Sequence, residues 1–421
     1  MAEYQPLLDM EEQPLPNKKL PRIASLDVFR GLCVFLMMLV DYGGSVFPII
    51  AHSPWNGLHL ADIVMPFFLF IAGVSVALAY KRVSNRVNST WKAVLRAVKL
   101  FVLGVLLQGG YFHGINSLTY GVDIEKIRWL GILQRIAIGY VVAALCAIWF
   151  SCRTKSETVF LRIYYWQWCV AAGLSAIYLG LLYGIYVPDW QFEVSSPIDM
   201  LAKNSTYSYK VKCSVRGDLG PACNAAGLID RYALGIDHLY AKPVYKNLKE
   251  CNTPSPSDTS PPWCRAPFDP EGLLSSLTAA VTCIIGLQYG HILAHIQDHK
   301  IRLRNWSLIS VSLLVLGLIL FFVGIPVNKS LYTISYMLIT SASAGITFCV
   351  LYLLVDVYGC RRLTYVLEWM GVHALSIFIV VTSNLAVIAI QGFYWKAPER
   401  NLFQVIEPKG VEQELSYVMF R

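Results

Sequence analysis

The chain alternates between long apolar runs and short polar breaks from about residue 25 to residue 390. Nine of the runs approach the length an α-helix needs to cross roughly 30 Å of hydrocarbon. They cover residues 25–46, 60–80, 92–111, 128–150, 163–187, 271–296, 305–325, 332–356 and 363–390, the last long enough to be two pieces. Only two long polar regions interrupt them, the N-terminal 23 residues and the stretch from Pro188 to Asp269. The pattern predicts an all-α polytopic membrane protein, a bundle of about nine transmembrane helices with one large loop. It divides the chain into a tail (1–23), five helices (24–187), the loop (188–269), four helices (270–390) and a C-terminal segment (391–421).

Composition strengthens this picture, since 56% of the 421 residues are hydrophobic and only 15% are charged, which excludes an ordinary soluble domain. No nucleic-acid motif, coiled coil or repeat stands out. The first apolar run follows a polar, proline-containing tail and is too long for the core of a cleavable signal peptide. The distribution of basic residues sets the orientation. With a cytosolic N-terminus, Lys18, Lys19, Arg22, the group from Lys81 to Lys99, Arg153, Lys155, Arg162, Lys300, Arg302, Arg304, Arg361 and Arg362 fall inside. Outside, residues 43–60 hold no Lys or Arg and residues 326–331 only Lys329.

The loop is then luminal. Four of the eleven cysteines, Cys213, Cys223, Cys251 and Cys264, fall in it, so two disulfides are expected there with three pairings open. Of the sequons at Asn88, Asn204, Asn305 and Asn328, two face the cytosol and one hugs a span end, leaving Asn204 as the expected glycan acceptor. In the tail, Glu3-Tyr4-Gln5-Pro6-Leu7-Leu8 resembles the acidic dileucine signals that sort proteins to lysosomes or plant vacuoles.

Ionisable groups inside spans cost roughly 2.5–3.5 kcal/mol each on the insertion scale, so they pair or serve a site. Asp27 and Arg30, spaced i, i+3, share one side of the first helix near its cytosolic end. They form either a local ion pair or, through Arg30, a phosphate-binding group. Arg135 has no partner in its own turn and is expected to meet a ligand phosphate or Glu368. Glu368 and His373 add charge to the last span. Asp41 and His52 belong to one short hairpin, 41–62, in which Gly43-Gly44 ends the first helix and Pro48 and Pro54 bracket the turn. Trp55 suits a membrane interface, and Asn56-Gly57 a turn. Asn56, Asp62 and Trp55 are candidates for positioning an acceptor. No metal site is expected.

The motifs SLDVFRGL, VDYGG, AHSPWNGLHLADIVMPFFLFIAGVS, LGILQRIAIGY, GPACNAAGLIDRYALGIDHLY and FDPEGLLSSL, in that order, resemble the heparan-alpha-glucosaminide N-acetyltransferase family and its plant relatives. The resemblance runs from about Ser25 into the ninth span. It implies a multi-pass acetyltransferase of lysosomal or vacuolar membranes, usually a homodimer, that passes acetyl groups from cytosolic acetyl-CoA to a luminal small-molecule or saccharide acceptor such as an amino sugar. On this reading His52 is catalytic and Asp41 stands where the family has a catalytic asparagine. An aspartate there would hold the imidazole and raise its pKa. Arg30 and Arg135 would bind the CoA phosphates at the cytosolic face. The C-terminal ELSYVMFR looks like only the start of the family's last helix. Direct transfer and an acetyl-histidine intermediate both stay open, and the competing classes are a secondary or proton-coupled transporter and a non-catalytic scaffold.

Overall fold

The computed structural model describes residues 23–44, 47, 50–81, 83, 85–108, 112–113, 119–120, 127–150, 164–195, 206–240, 243–251 and 261–382. The tail with its dileucine-like motif, Asn204 and the segment 391–421 lie outside the described residues.

A helix occupies each of the nine apolar stretches. These are α1 (Ala24–Gly43), α2 (Leu60–Ala79), α3 (Arg86–Gln108), α4 (Ile132–Trp149) and α5 (Tyr165–Gly184), then, after a short α6 (Ala225–Leu234) in the loop, α7 (Leu273–His295), α8 (His299–Val323), α9 (Ile334–Tyr352) and the pair α10 (Arg361–Val372) and α11 (Ala374–Thr382). A π-helical turn, Leu353–Val357, extends α9. Among the described residues six helices are long and apolar enough to cross a membrane, or seven if α10 and α11, bent by 66° at His373, form one span. The number that qualifies is therefore six or seven rather than nine. The two stretches that fall short carry too much charge: α1 holds Asp27, Arg30 and Asp41, and α3 holds Arg86, Lys92, Arg96 and Lys99. The chain has the character of a multi-pass membrane protein.

Buried α7 is the axis of the bundle, with almost every residue from Leu274 to Ala294 inside the protein. It lies so close to α2 that a Cβ on Gly73 would stand 2.0 Å from the Cys283 carbonyl oxygen. In the same way α1 and α10 touch backbone to backbone through Gly31 and Gly371, where an added Cβ would lie 1.7 Å from the Leu367 and Asp27 carbonyl oxygens. Lipid provides little hydrophobic drive between helices, so close approach through small residues supplies the packing instead. α8 turns Leu308, Val315, Phe321 and Phe322 outward, as a lipid-facing helix does.

The region between α5 and α7 is a small folded unit. Strands β1 (Tyr186–Val187) and β4 (Val215–Arg216) pair antiparallel, as do β2 (Trp190–Ser195) and β3 (Thr206–Val211) with Trp190 opposite Val211. Asn224 caps α6, its Oδ1 accepting from the Gly227 N–H at 2.7 Å. Of the three possible pairings the cysteines adopt the sequential one, Cys213–Cys223 and Cys251–Cys264. Phe192, Val211, Tyr245 and Phe268 form a second core, continuous with Tyr178 and Leu182 of α5 and Leu331 before α9.

The contact of α1 with α10 leaves no room for a side chain at Gly31. Gly31→Leu should lower the thermal unfolding midpoint in detergent by several degrees, an overpacking cost of about 1–3 kcal/mol. An unshifted midpoint would show that α10 does not pack there.

Candidate active site

α2 begins with a residue that does several things at once. Asp62 is its third residue, and Oδ2 reaches back to accept from the His59 N–H at 3.0 Å, one half of a capping box. The same oxygen accepts from the Ser53 N–H at 3.2 Å, and Oδ1 lies 2.9 Å from His52 Nδ1. Four residues on, Pro66 has no N–H to give to the Asp62 carbonyl, and the Tyr336 hydroxyl of α9 donates to it instead at 2.5 Å. The carboxylate is fully buried, whereas the His52 side chain is 38% accessible. The imidazole is thus held from one side and open on the other.

The loop that carries His52 is pinned at two further points. Trp55 Nε1 donates to the Leu219 carbonyl at 2.9 Å, and the indole packs edge-on against Tyr245 and Phe268. The sequence reading placed Trp55 at the bilayer interface and against an acceptor; it is instead buried in the second core, with its N–H already used by Leu219. Asn56 is exposed, and its Oδ1 accepts from Asn328 Nδ2 at 3.1 Å. Gly57, with φ of 126°, donates its N–H to the Val327 carbonyl at 2.8 Å.

The turn docked there brings in a residue the sequence reading counted only as a topology signal. Lys329 Nζ lies 2.8 Å from His52 Nδ1, 3.4 Å from Nε2 and 3.6 Å from Asp62 Oδ1. Glu271, just before α7, lines the same space. Burial and then the Lys329 ammonium push the His52 imidazole below its ordinary pKa, against the upward pull of Asp62 and Glu271. This overturns the expected rise. That expectation weighed a neighbouring aspartate and neither burial nor a cation. Burial likewise lowers the Lys329 ammonium, and Asp62 and Glu271 oppose it. Burial alone would raise the Glu271 carboxyl, but Arg128, then Arg135 and Lys329, bring it below the usual range.

A cavity of about 390 Å³ opens from this cluster into the bundle. Its walls run along α2 from Ala61 to Ala79, about 27 Å at 1.5 Å per residue. Asp41, His52, Glu271 and Lys329 line one end, Arg30 and Arg96 the other, and Met65, Phe68, Ile71, Leu133 and Ile136 the stretch between. Arg30 pairs with Asp27 at 2.8 Å and donates to Ser75 Oγ at 2.6 Å, so the local ion pair exists and the guanidinium still borders the cavity. A second cavity, lined by Arg30, Lys81, Gln297 and Arg302, adjoins it there.

Two residues fall elsewhere than expected. Arg135 is buried near the His52 end, donating to the Pro270 carbonyl at 2.6 Å and to Ser275 Oγ, with its guanidinium 5.4 Å over the Tyr332 ring. It cannot share a phosphate with Arg30, because it sits in the first turn of α4, the end near Glu271. Asp41 shares the cavity wall but makes no hydrogen bond to His52; Asp62 does that. Glu368 and the exposed His373 are not brought to the cavity.

Residues 22–186 match the family model for "Heparan-alpha-glucosaminide N-acetyltransferase, catalytic", a stretch that contains Arg30, Asp41, His52 and Asp62. The human Heparan-alpha-glucosaminide N-acetyltransferase is 32% identical over 364 residues, which cover 80% of this chain and 50% of the human one. The mouse protein of the same name is 32% identical over 432 residues, covering 95% of this chain and 60% of its own. The chain is similar to heparan-alpha-glucosaminide N-acetyltransferase over most of its length. It spans about half the length of the human relative.

An ionic frame that sequence reading passed over joins Arg128, within the matched segment, to the carboxylates just before α7. Arg128 Nε donates to Asp269 Oδ2 at 2.9 Å, its NH2 to Asp269 Oδ1 at 2.6 Å and to Glu271, and its guanidinium lies 4.7 Å over Tyr240. The signal was present in FDPEG, where two carboxylates stand directly before an apolar helix. Removing one partner of such a buried group strands the others, at about 3–5 kcal/mol. Arg128→Met should therefore lower stability by that order in thermal unfolding, and a wild-type midpoint would show that Asp269 and Glu271 are solvated.

Proposed function

We propose that the chain is an acetyltransferase that takes an acetyl group from acetyl-CoA at the Arg30 end and delivers it to an amine or hydroxyl acceptor, such as an amino sugar, at the His52 end. One observation carries the reading: a single cavity is bordered at one end by a histidine on a buried aspartate and at the other by arginines. Its apolar middle suits an extended acyl-carrying arm, and its volume lies in the range of small-molecule sites.

The chemistry follows from the hydrogen bonds. With Nδ1–H donating to Asp62, the Nε2 lone pair is the basic site of the ring, 3.4 Å from Lys329 Nζ. The acceptor nitrogen attacks the thioester carbonyl, forming C–N as C–S breaks. His52 takes the N–H proton and returns it to the departing CoA sulfur, leaving an acetamide and CoA thiol. Asp62 holds the imidazole rather than the acceptor, a role first expected of Asp41. Asp41, on the cavity wall, is left to receive the incoming amine, and Asn56 Nδ2, on the exposed rim, to contact the rest of the acceptor. Arg30 and Arg96 hold the phosphates. Arg135 is withdrawn from that role.

The basic-residue pattern supports a cytosolic N-terminus, which puts the arginines in the cytosol and His52 in the lumen. The family relation and the tail motif favour a lysosomal or vacuolar membrane, and the relation also favours a homodimer embedded in lipid.

Two experiments test the proposal. His52→Ala should abolish acetyl transfer to amino-sugar acceptors, a loss of about 10²–10⁴-fold or more, while binding of acetyl-CoA stays close to wild type. Near-normal turnover by monodisperse His52→Ala protein would remove the catalytic role, and acceptor uptake without acetyl-CoA consumption would favour a carrier. Arg30→Ala and Arg96→Ala should each weaken acetyl-CoA binding by about 1.5–3 kcal/mol in calorimetry, the worth of a charge-assisted hydrogen bond. Unchanged affinity in both would place the phosphates elsewhere.

A further inference from the structure

The turn from Gly324 to Thr333 holds a largely buried lysine against a histidine, its ammonium 2.8 Å from the ring. We propose that Lys329 is a positioning residue for His52, holding the imidazole uncharged beside the Asp62 carboxylate so that it can serve as a base in an acidic compartment. The inference rests on the reading of His52 as the base.

Hydrogen-bond capacity carries the case. His52 Nδ1 has one in-plane site, yet Asp62 Oδ1 lies 2.9 Å from it and Lys329 Nζ 2.8 Å. Nδ1 either donates to the carboxylate as N–H or accepts from the ammonium through its lone pair. The neutral ring satisfies one partner or the other. The neutral Nδ1–H tautomer and the doubly protonated ring both turn an N–H toward the ammonium, but only the doubly protonated ring adds a second positive charge in contact with it. Without the lysine, a fully buried carboxylate alone would draw the ring toward imidazolium.

The lysine cannot move away easily, because its turn is built onto the His52 loop. Asn328 is fully buried, accepting from the Leu331 N–H at 2.8 Å and donating to Asn56 at 3.1 Å, while Val327 takes the Gly57 N–H. Thr333 Oγ1 donates to the Pro326 carbonyl at 2.8 Å and closes the turn. The groups that bear on the ring are Asp62 from α2, Lys329 from this turn and Glu271 from the segment before α7, with Asp41 from the end of α1 on the same cavity wall. Lys329 is faced in addition by Arg135 from α4. His59 is turned to the Ala51 carbonyl. Lys329 is the cation nearest the ring.

The test reads the imidazole directly. Full-length wild type, Lys329→Met, Lys329→Gln and Lys329→Arg proteins, monodisperse in detergent, are labelled with diethyl pyrocarbonate across pH 4–8, and carbethoxylation of His52 is assigned by peptide fragmentation. Only neutral imidazole reacts. In Lys329→Met or Lys329→Gln the labelling midpoint should rise by about one pH unit, so that the rate at the acid end falls about tenfold, and Lys329→Arg should restore the wild-type midpoint. Identical midpoints in the folded uncharged variants would overturn the proposal. Acetyl transfer measured on the same samples separates the two readings. A shifted midpoint in a protein that transfers no acetyl group upholds the lysine and sinks the acetyltransferase. An unshifted midpoint in one that does transfer sinks the lysine alone.

Discussion

A single carboxylate, that of Asp62, joins backbone, bundle and site. It caps α2 through His59, fixes the returning loop through Ser53 and holds His52, while the carbonyl of the same residue, freed by Pro66, binds α2 to Tyr336 of α9. A buried carboxylate without partners costs several kcal/mol, so each of these contacts is also a condition for the group being there. The proline is part of the same device. By removing one helical hydrogen bond it creates the acceptor that ties α2 to α9 at the residue that holds the imidazole.

The helical skeleton was legible because its signal is local. An apolar run near twenty residues long reads as a helix whatever surrounds it, and each of the nine runs contains one. The cysteine count predicted two disulfides but not their pairing, which the β1–β4 and β2–β3 pairs and α6 decide by folding the loop. His52 and Asp62 were both named, yet their contact was not. They stand ten positions apart in the chain, and only the capping of α2 brings the carboxylate back onto the ring. Arg135 was assigned by its chemistry without asking which end of its helix it occupied. Lys329 broke an otherwise clean rule, a basic residue in an outside turn nearly bare of them, and such an exception is the signal that could have found it.

The charges around His52 are of both signs. Asp62 and Glu271 oppose Lys329 at the ring, and Glu271 is itself paired with Arg128, so the groups that bear on the imidazole act against one another. Two unit charges about 4 Å apart interact by about 4 kcal/mol where the effective dielectric is near 20. Attraction of a charged His52 by Asp62 and its repulsion by Lys329 are therefore of the same size, and they largely cancel. Burial then decides the direction, and it favours the neutral ring.

That balance also explains how an aspartate can orient a base without disabling it. A lone buried carboxylate beside an imidazole supplies orientation at the cost of protonation, which in an acidic medium would leave the ring without a free lone pair. A cation placed against the same two groups cancels the charge and leaves the hydrogen-bond geometry in place. It must be rigidly held to do so, since a solvated lysine would relax away, and here the turn is fastened to the His52 loop by Asn328 and Val327. The distant arginines need no such balance. Arg30 lies eleven residues along α1 from Asp41, about 16 Å away, beyond an apolar stretch of cavity wall, so the two ends can be tuned for different partners on opposite faces of the bundle.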